Sequence, residues 1–435
     1  MARTFASDDR GGMDFGMFFE LQLPRPWADD DEQRLFHNAL EWAELGERAG
    51  IGYAWAQEHH FLEEYSHSSA PEVFLAAVSQ RTKTMRIGHG VNLMPPQYNH
   101  PARVAERIAT LDLVSGGRVE WGTGESSSRL ELEAFHVDYV KKRALWAEAL
   151  RECAKMLAAN PYPGYSGEFF SMPARNIVPK PVQRPHPPMW VACTNRDTVK
   201  LAARLGLGAL TFAFMNGEEA AFWVREYYDT FKAECRPIGR AVNPNIAMLA
   251  GVMVHRDEDV ARQRGLAGQQ FFKWALAYYF RFGTHTPGRS DLWREFSQAE
   301  PEPMAGIAAV GTPDQARAHI AELEAAGVDQ VIFLQQAGDY EHDHVCESLE
   351  LLGTEVLPEF SERNETRKKR KEEELAPYVE QALRHVPPLP DTAVEPVEAY
   401  PVLWERRGVN SQEWGAKRAL DAAQLWRLNV GQGGK

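Results

Sequence analysis

The stretch Tyr53-Ala54-Trp55-Ala56-Gln57-Glu58-His59-His60-Phe61 is the one on which the fold turns. A run of apolar residues short enough for a buried strand ends there in a carboxylate and a histidine pair. A parallel α/β barrel collects its proton chemistry at the C-terminal ends of its strands, so Glu58, His59 and His60 stand where catalytic groups are expected. Taken alone, the pair has a second reading as histidines that end a strand and bond to nearby backbone.

Working outward, strand and helix alternate on both sides of this stretch. Met13 to Phe19 reads as a buried first strand ending at Glu20, and residues 33–49 show helical spacing that stops at Gly50. Downstream come a helix over 71–79, a strand over 85–93, a helix opened by His100-Pro101 and a strand at Val119 to Gly122. Gly88 and Gly90 inside the 85–93 strand mark either a bulge or the close approach of something flat. A helix carrying Arg143 and a proline- and glycine-rich loop over 160–188 follow, then strands at 189–192, 207–214 and 245–254 with helices between them. Residues 256–304 break the rhythm as an insertion whose aromatic helix, 271–280, is either packed core or a lid over an apolar site. A helix from Thr312-Pro313 to Gly327, a strand at 330–334 and a last helix closing near Phe360 complete the series.

This alternation predicts a (β/α)8 TIM barrel over residues 13–360. An open sheet is disfavoured because candidate functional residues follow several strands and no dinucleotide-type glycine fingerprint occurs. Residues 1–12 read as an N-terminal arm. Residues 361–435 form a C-terminal extension, helical and proline-rich, in which the basic-then-acidic run Arg367 to Glu374 reads as a solvated helix and Pro387 to Pro401 as a linker or arm that serves oligomerisation.

The chain has 435 residues, 44% hydrophobic and 25% charged, which places it among globular proteins with a large core. Its formal net charge of -13 gives no electrostatic basis for nucleic-acid or anionic-membrane partners. Cys153, Cys193, Cys235 and Cys346 lie far apart with no metal-ligand spacing, as expected of reduced thiols in a cytoplasmic protein. No run is long and apolar enough to predict a membrane span, and Met1 to Gly12 lacks the apolar centre of an export signal.

Two further loops carry donors suited to an anion. In Gly122-Thr123-Gly124-Glu125-Ser126-Ser127-Ser128 the glycines allow backbone approach and the hydroxyls offer donors, although the same composition makes plain turns. Glu125 opposes an anion there unless it points away or pairs with Arg129. Arg143 either reaches back to that anion or is solvated. Cys193-Thr194-Asn195 opens a helix, so it reads either as an ordinary N-cap or as an anion site at the positive end of the helix dipole.

Read together, Phe15-Gly16, Phe18-Phe19, Glu58-His59-His60-Phe61, Arg81-Thr82-Lys83-Thr84, Gly88, His100-Pro101-Ala102-Arg103, Asp112 with Ser115-Gly116-Gly117-Arg118, Ala134-Phe135, Arg143, Trp190-Val191-Ala192 and Gly311-Thr312-Pro313 resemble the bacterial-luciferase-like flavin monooxygenases. The resemblance spans about residues 13 to 360 and leaves the tail unaccounted for. It implies a dimeric two-component enzyme in which a separate NAD(P)H flavin reductase supplies reduced FMN. With O2 this forms a flavin peroxide that oxygenates a small organic substrate. On the same resemblance His59 is the catalytic histidine, oriented by Glu58 or His60. Gly90-Val91, followed by Asn92, is a non-prolyl cis peptide against the flavin. Arg143 and the Cys193-Thr194-Asn195 turn match positions that contact its phosphate; a further phosphate-binding arginine of the family is missing here, with Ser126, Ser127 or Arg129 as its substitute, and Gly124 and Ser128 of the same loop complete the expected cofactor-binding set.

There are departures. Gly124-Glu125 stands where the luciferases carry a reactive cysteine and an arginine, and Cys193 replaces a glutamate, so light emission is not expected. The rival readings are a deazaflavin-dependent oxidoreductase and a flavin-binding barrel without turnover.

Overall fold

The computed structural model describes residues 13–212, 214–299, 309–389 and 394–397. Eight parallel strands close on themselves: β1 (Asp14–Phe19), β2 (Tyr53–Ala56), β3 (Arg86–His89), β4 (Val119–Gly124), β5 (Met189–Cys193), β6 (Gly208–Thr211), β7 (Ile246–Val254) and β8 (Gln330–Leu334). Each pairs with its neighbour in chain order, and β8 pairs back onto β1 through Asp14 and Gln330, which makes the expected TIM barrel. Helices such as Asp31–Arg48, Pro71–Arg81, Pro101–Val114 and Lys142–Ala158 fill the returns between strands.

Period-two alternation builds two apolar compartments. Along β1, Phe15, Met17 and Phe19 face outward and join the layer between sheet and helices, whereas Phe18 points inward to Trp55, Trp190, Leu210 and Leu249. Trp55 is fully buried at the barrel centre, its indole N–H bonded to Gln330 Oε1 at 2.9 Å. The ring explains the glycine in β3: a Cβ on Gly88 would lie 2.3 Å from Trp55 Cε3. The flat object that approaches this strand is therefore the protein's own indole. The register places Gly88 opposite Trp55 with no extra residue between them.

The segment after β7 leaves the plain repeat. Helix Glu258–Ala277 runs into a wide turn, Tyr278–Phe282, and a short helix, Leu292–Gln298, follows before the regular helix Pro313–Ala326. Phe271 and Phe272 are buried and join the interior compartment, so the aromatic stripe is core on one side. The loop 160–188 contains the small antiparallel pair Tyr165–Ser166 and Ser171–Met172.

One continuous helix, Pro358–Leu383, runs through the boundary expected at 360. Its basic run is not a solvated face. Arg367 and Lys371 reach Asp329 at 2.6 and 2.8 Å, and Lys368 and Asn364 each reach Asp14 at 2.8 Å. Tyr228 O–H and the amide N–H of Ile246 complete Asp329. Asp14 opens β1 and Asp329 immediately precedes β8, so this helix covers the N-terminal floor of the barrel. Chain contacts divide the protein into Met1–Pro390 and Asp391–Lys435. The arm 1–12 and most of the Pro387 to Pro401 stretch lie outside the described residues. No helix among the described residues is long and apolar enough to cross a membrane.

Candidate active site

The C-terminal mouth of the barrel holds a cavity of about 530 Å³. Its floor and walls are largely apolar: Val91, Leu93, Trp146, Phe212, Phe214 and Phe272 face it. One side carries hydroxyls and a cation from the loops after β4 and β5 and the helices they lead into, namely Ser126, Ser127, Arg143, Thr194 and Thr198. Leu276, Ala277 and Phe280 from the insertion close another wall, with Lys273 and Arg281 beside them. The insertion is therefore core and site wall at once.

His59 lines this cavity with its side chain 11% exposed. The ring sits between two fully buried carboxylates. Nδ1 is 3.0 Å from Glu131 Oε1, and Nε2 is 3.8 Å from Glu20 Oε1. Burial opposes a charge on the ring, but Glu131 and then Glu20 outweigh it and hold the imidazolium up to about 9, against an ordinary 6.5. Burial raises the Glu20 carboxyl from 4.5 to about 7, only partly opposed by His59. At neutral pH the mouth thus keeps a proton on His59 and holds Glu20 near the midpoint of its ionisation.

Glu58 and His60 do not orient His59. The Glu58 carboxylate turns away from the ring and accepts from Asn92 Nδ2 at 2.7 Å, Leu93 N–H at 2.7 Å and Asn99 Nδ2 at 2.8 Å. Burial raises this carboxyl, but the hydrogen bonds, with that from His60 first, overcome it and leave the group below its ordinary range. Glu58 is a clamp that fixes the strand ends behind the cavity. Its Nε2 neighbour His60, at 3.4 Å, packs against Phe135 and Tyr98 outside the cavity wall.

The remaining expected residues separate in the same way. Val91 faces the cavity, while Gly90 packs on Trp55 and Asn92 is spent on Glu58. The Gly90–Val91 bond is trans: among the described residues only bonds to proline are cis. Gly124 lines the wall because any Cβ there would lie 2.4 Å from Val91 Cγ2. Ser126 and Ser127 face the cavity and Ser128 lies behind them, fully buried. Glu125 does not pair with Arg129, which bonds Glu133; it bridges Arg143 at 3.0 Å and Lys142 at 3.4 Å. Two cations against one carboxylate leave this wall positive. Cys193 is buried in the core, Asn195 is the cap of helix Arg196–Arg204 through Thr198 N–H, and Thr194 and Thr198 present the hydroxyls.

Backbone strain gathers at the same mouth. Leu21, Phe61 and Ser126 have left-handed backbone, with φ of 58°, 66° and 60°. They directly follow Glu20, His60 and Glu125, the kind of clustering that functional sites show.

Residues 13–330 match the luciferase-like monooxygenase family. The chain belongs to that family. It is 25% identical over 362 residues to the oxygenase component of the flavin-dependent trigonelline monooxygenase of Acinetobacter baylyi, covering 80% of this chain and 96% of the relative. It is 28% identical over 364 residues to limonene 1,2-monooxygenase of Rhodococcus erythropolis, covering 82% and 88%. Two solved structures share the fold alone. One is the oxygenating constituent of 3,6-diketocamphane monooxygenase from the CAM plasmid of Pseudomonas putida in complex with FMN (TM-score 0.63, 19% identity, 80% and 98% covered). The other is an F420-dependent secondary alcohol dehydrogenase (TM-score 0.61, 16% identity, 80% and 99% covered). Its relatives thus include a flavin-dependent monooxygenase, and its fold is shared with an F420-dependent oxidoreductase.

Membership makes the chain an oxidoreductase and directs attention to residues the sequence reading passed over. Glu131, Gln57, Tyr65 and Thr198 carry no motif, and their roles come from folding alone. Glu20 was visible as the polar end of an apolar strand. Glu63 and Glu64, just after the histidine pair, tie down the insertion: Glu63 accepts from Gly288 N–H at 2.7 Å and bonds His285 at 3.0 Å. Glu64 accepts from Trp293 N–H at 3.0 Å.

Proposed function

We propose that this chain is the oxygenase component of a two-component flavin-dependent monooxygenase, using reduced FMN from a separate NAD(P)H flavin reductase and O2 to oxygenate a small organic substrate. The observation that carries this reading is the pairing, in one cavity, of an apolar slot with a cationic, hydroxyl-bearing wall and a charged histidine. The volume lies in the roughly 300–1,000 Å³ range of cofactor and ligand pockets. The donor set suits a flat ring with an anionic tail: Arg143, Thr194, Thr198, Ser126 and Ser127 would hold the phosphate, and Val91, Leu93 and Trp146 would flank the ring.

Bound reduced flavin would supply the electrons that activate O2. The chain's own residues do the rest. Phe272, Leu276 and Phe280 exclude water from the slot, and His59 holds a proton at the cavity edge for transfer to or from the reacting group. Gln57 presents an amide on the same wall. Glu58 keeps the β2, β3 and following segments in register so that His59 and Val91 face one space.

The test is oxygen uptake by the purified protein with an NADH-driven flavin reductase across aldehydes, ketones, sulfonates and amines, alongside anaerobic titration with reduced FMN. Substrate-dependent uptake and saturable binding of reduced FMN are expected. Saturable binding of a reduced deazaflavin with no oxygen uptake would replace this reading with hydride transfer. FMN binding without turnover on any substrate would favour a binding role. Gel filtration with light scattering checks the homodimer that accompanies the proposal.

A further inference from the structure

The mouth carries two buried carboxylates that the family motif does not contain, and both face the same imidazole. Glu131 lies on the short helix Arg129–Ala134, directly after the serine loop. Its two oxygens are fully used. Oε1 meets His59 Nδ1 at 3.0 Å and accepts from His60 N–H at 2.9 Å, and Oε2 accepts from the Ser126 hydroxyl. Glu20 is fully buried and 3.8 Å from His59 Nε2, with the hydroxyls of Ser66 and Tyr65 beside its carboxyl. Burial outweighs those hydroxyls and makes the charged carboxylate expensive to keep, and such groups cluster where chemistry uses them.

We propose that Glu131 is the positioning residue of His59 and Glu20 its proton partner, so that the three side chains act as one buried unit linked through Ser126 to the polar wall of the cavity. The proposal rests on the reading of His59 as the proton-handling group. Glu131 fixes Nδ1–H and with it the ring plane, leaving Nε2 as the exchanging atom. When Nε2 gives its proton to a group in the cavity, the O–H bond of Glu20 breaks, an Nε2–H bond re-forms, and the negative charge stays on Glu20. The 3.8 Å separation is spanned by a small ring rotation or one water.

The groups facing His59 from every side agree with this division. Glu20 comes from the end of β1, Glu131 from the short helix and Glu58 from its own strand end. Tyr65 packs edge-on at 5.6 Å and Phe280 of the insertion at 6.1 Å, neither bringing a positive charge. The proton affinity of His59 is raised against burial by Glu131 first and Glu20 second, and that of Glu20 is raised by burial against the opposing His59. Ser126 gives the unit a second function: its hydroxyl bonds Glu131 while its loop lines the cavity, so an anion drawn to that loop pulls on the hydrogen bond that orients His59.

The test uses the full chain without added flavin. Ring-labelled histidine is followed by NMR across pH, with His59 assigned from the signal lost in His59→Gln. Wild type is expected to titrate near 9. Glu131→Gln should lower that value by about 1 to 3, the effect of an adjacent opposite charge, and Glu20→Gln by less. Glu133→Gln, an exposed neighbour on the same helix, should leave it in place. Glu131→Asp keeps the charge and should restore most of it, which covers the case in which the glutamine variant does not fold. Coincident titrations for wild type, Glu131→Gln and Glu20→Gln would overturn the proposal. A matching acidward move of the basic limb in the pH profile of turnover supports it. If the NMR values move as stated while His59→Gln retains full turnover, the unit stands and the catalytic reading of His59 fails.

Discussion

The two ends of the barrel bury charge in opposite ways. At the floor, Asp329 is met by Arg367, Lys371, Tyr228 O–H and a backbone N–H, and Asp14 by Lys368 and Asn364. Burial raises the Asp329 carboxyl, yet Lys371 and Arg367 prevail and hold it below its ordinary range. At the mouth, two carboxylates share one imidazole, and burial holds the Glu20 carboxyl above its ordinary range. The floor gives each carboxylate a cation; the mouth sets two carboxylates against one imidazole. Completeness of pairing, not depth of burial, separates a structural cluster from a chemical one.

The sharpest way to break this comparison is to mutate one group at each end. His59→Gln should lower turnover by about 10²–10⁴-fold, the range for a lost acid–base group, with reduced-FMN affinity nearly unchanged. Steady-state kinetics with anaerobic FMN titration decide it, and equal loss of both would make His59 a binding residue. Asp329→Asn should instead cost about 3–5 kcal/mol of stability, because Arg367 and Lys371 lose their charge partner, while turnover of the folded fraction stays within a few-fold of wild type. Urea denaturation followed by tryptophan fluorescence reads this, and a collapse of turnover at full stability would merge the two ends into one function.

pH sharpens the contrast because the signs differ. His59 has its folded value raised, so its contribution is full below 6.5 and is lost as pH rises toward about 9. Glu20 adds to the loss from 4.5 to about 7, since the folded state resists its ionisation. Asp329 has a lowered folded value, so its contribution is present above 3.8 and is lost as pH falls. Urea midpoints should therefore drop from pH 6.5 to 9 in wild type, and drop less in His59→Gln. The fall on the acid side should be smaller in Asp329→Asn. A flat wild-type profile across the alkaline range would contradict the mouth cluster. The smallest effect is expected at the latch on the insertion. Glu63→Gln weakens its hold on His285 and Gly288, which should change stability by less than about 1 kcal/mol and raise the substrate KM a few-fold with kcat kept. Cleavage by a protease between Gly283 and Asp291 should speed up in the same variant.

Much of the barrel was legible because buried strands and amphipathic helices write their period into the chain. Phe15 to Phe19, Tyr53 to Ala56 and Gln330 to Leu334 stand out as short apolar runs, and Gly50, Gly206 and Gly327 mark where helices stop. His59 was legible from its motif and its strand end. Its true partners were not. Glu131 lies 72 residues away in a helix with no motif, and only closure of the barrel brings it to the ring. Glu58 misled because adjacency suggests contact, whereas successive residues leaving a strand point in different directions. The basic run at 367–371 misled for a related reason: its acidic partners sit at strand starts, and periodicity cannot reveal which end of a barrel a later helix will cover.

The floor helix also sets an order of events during synthesis. Lys368 and Asn364 meet Asp14 across 354 and 350 residues, so the acid at the start of β1 waits for almost the whole barrel to leave the ribosome before its counter-charge exists.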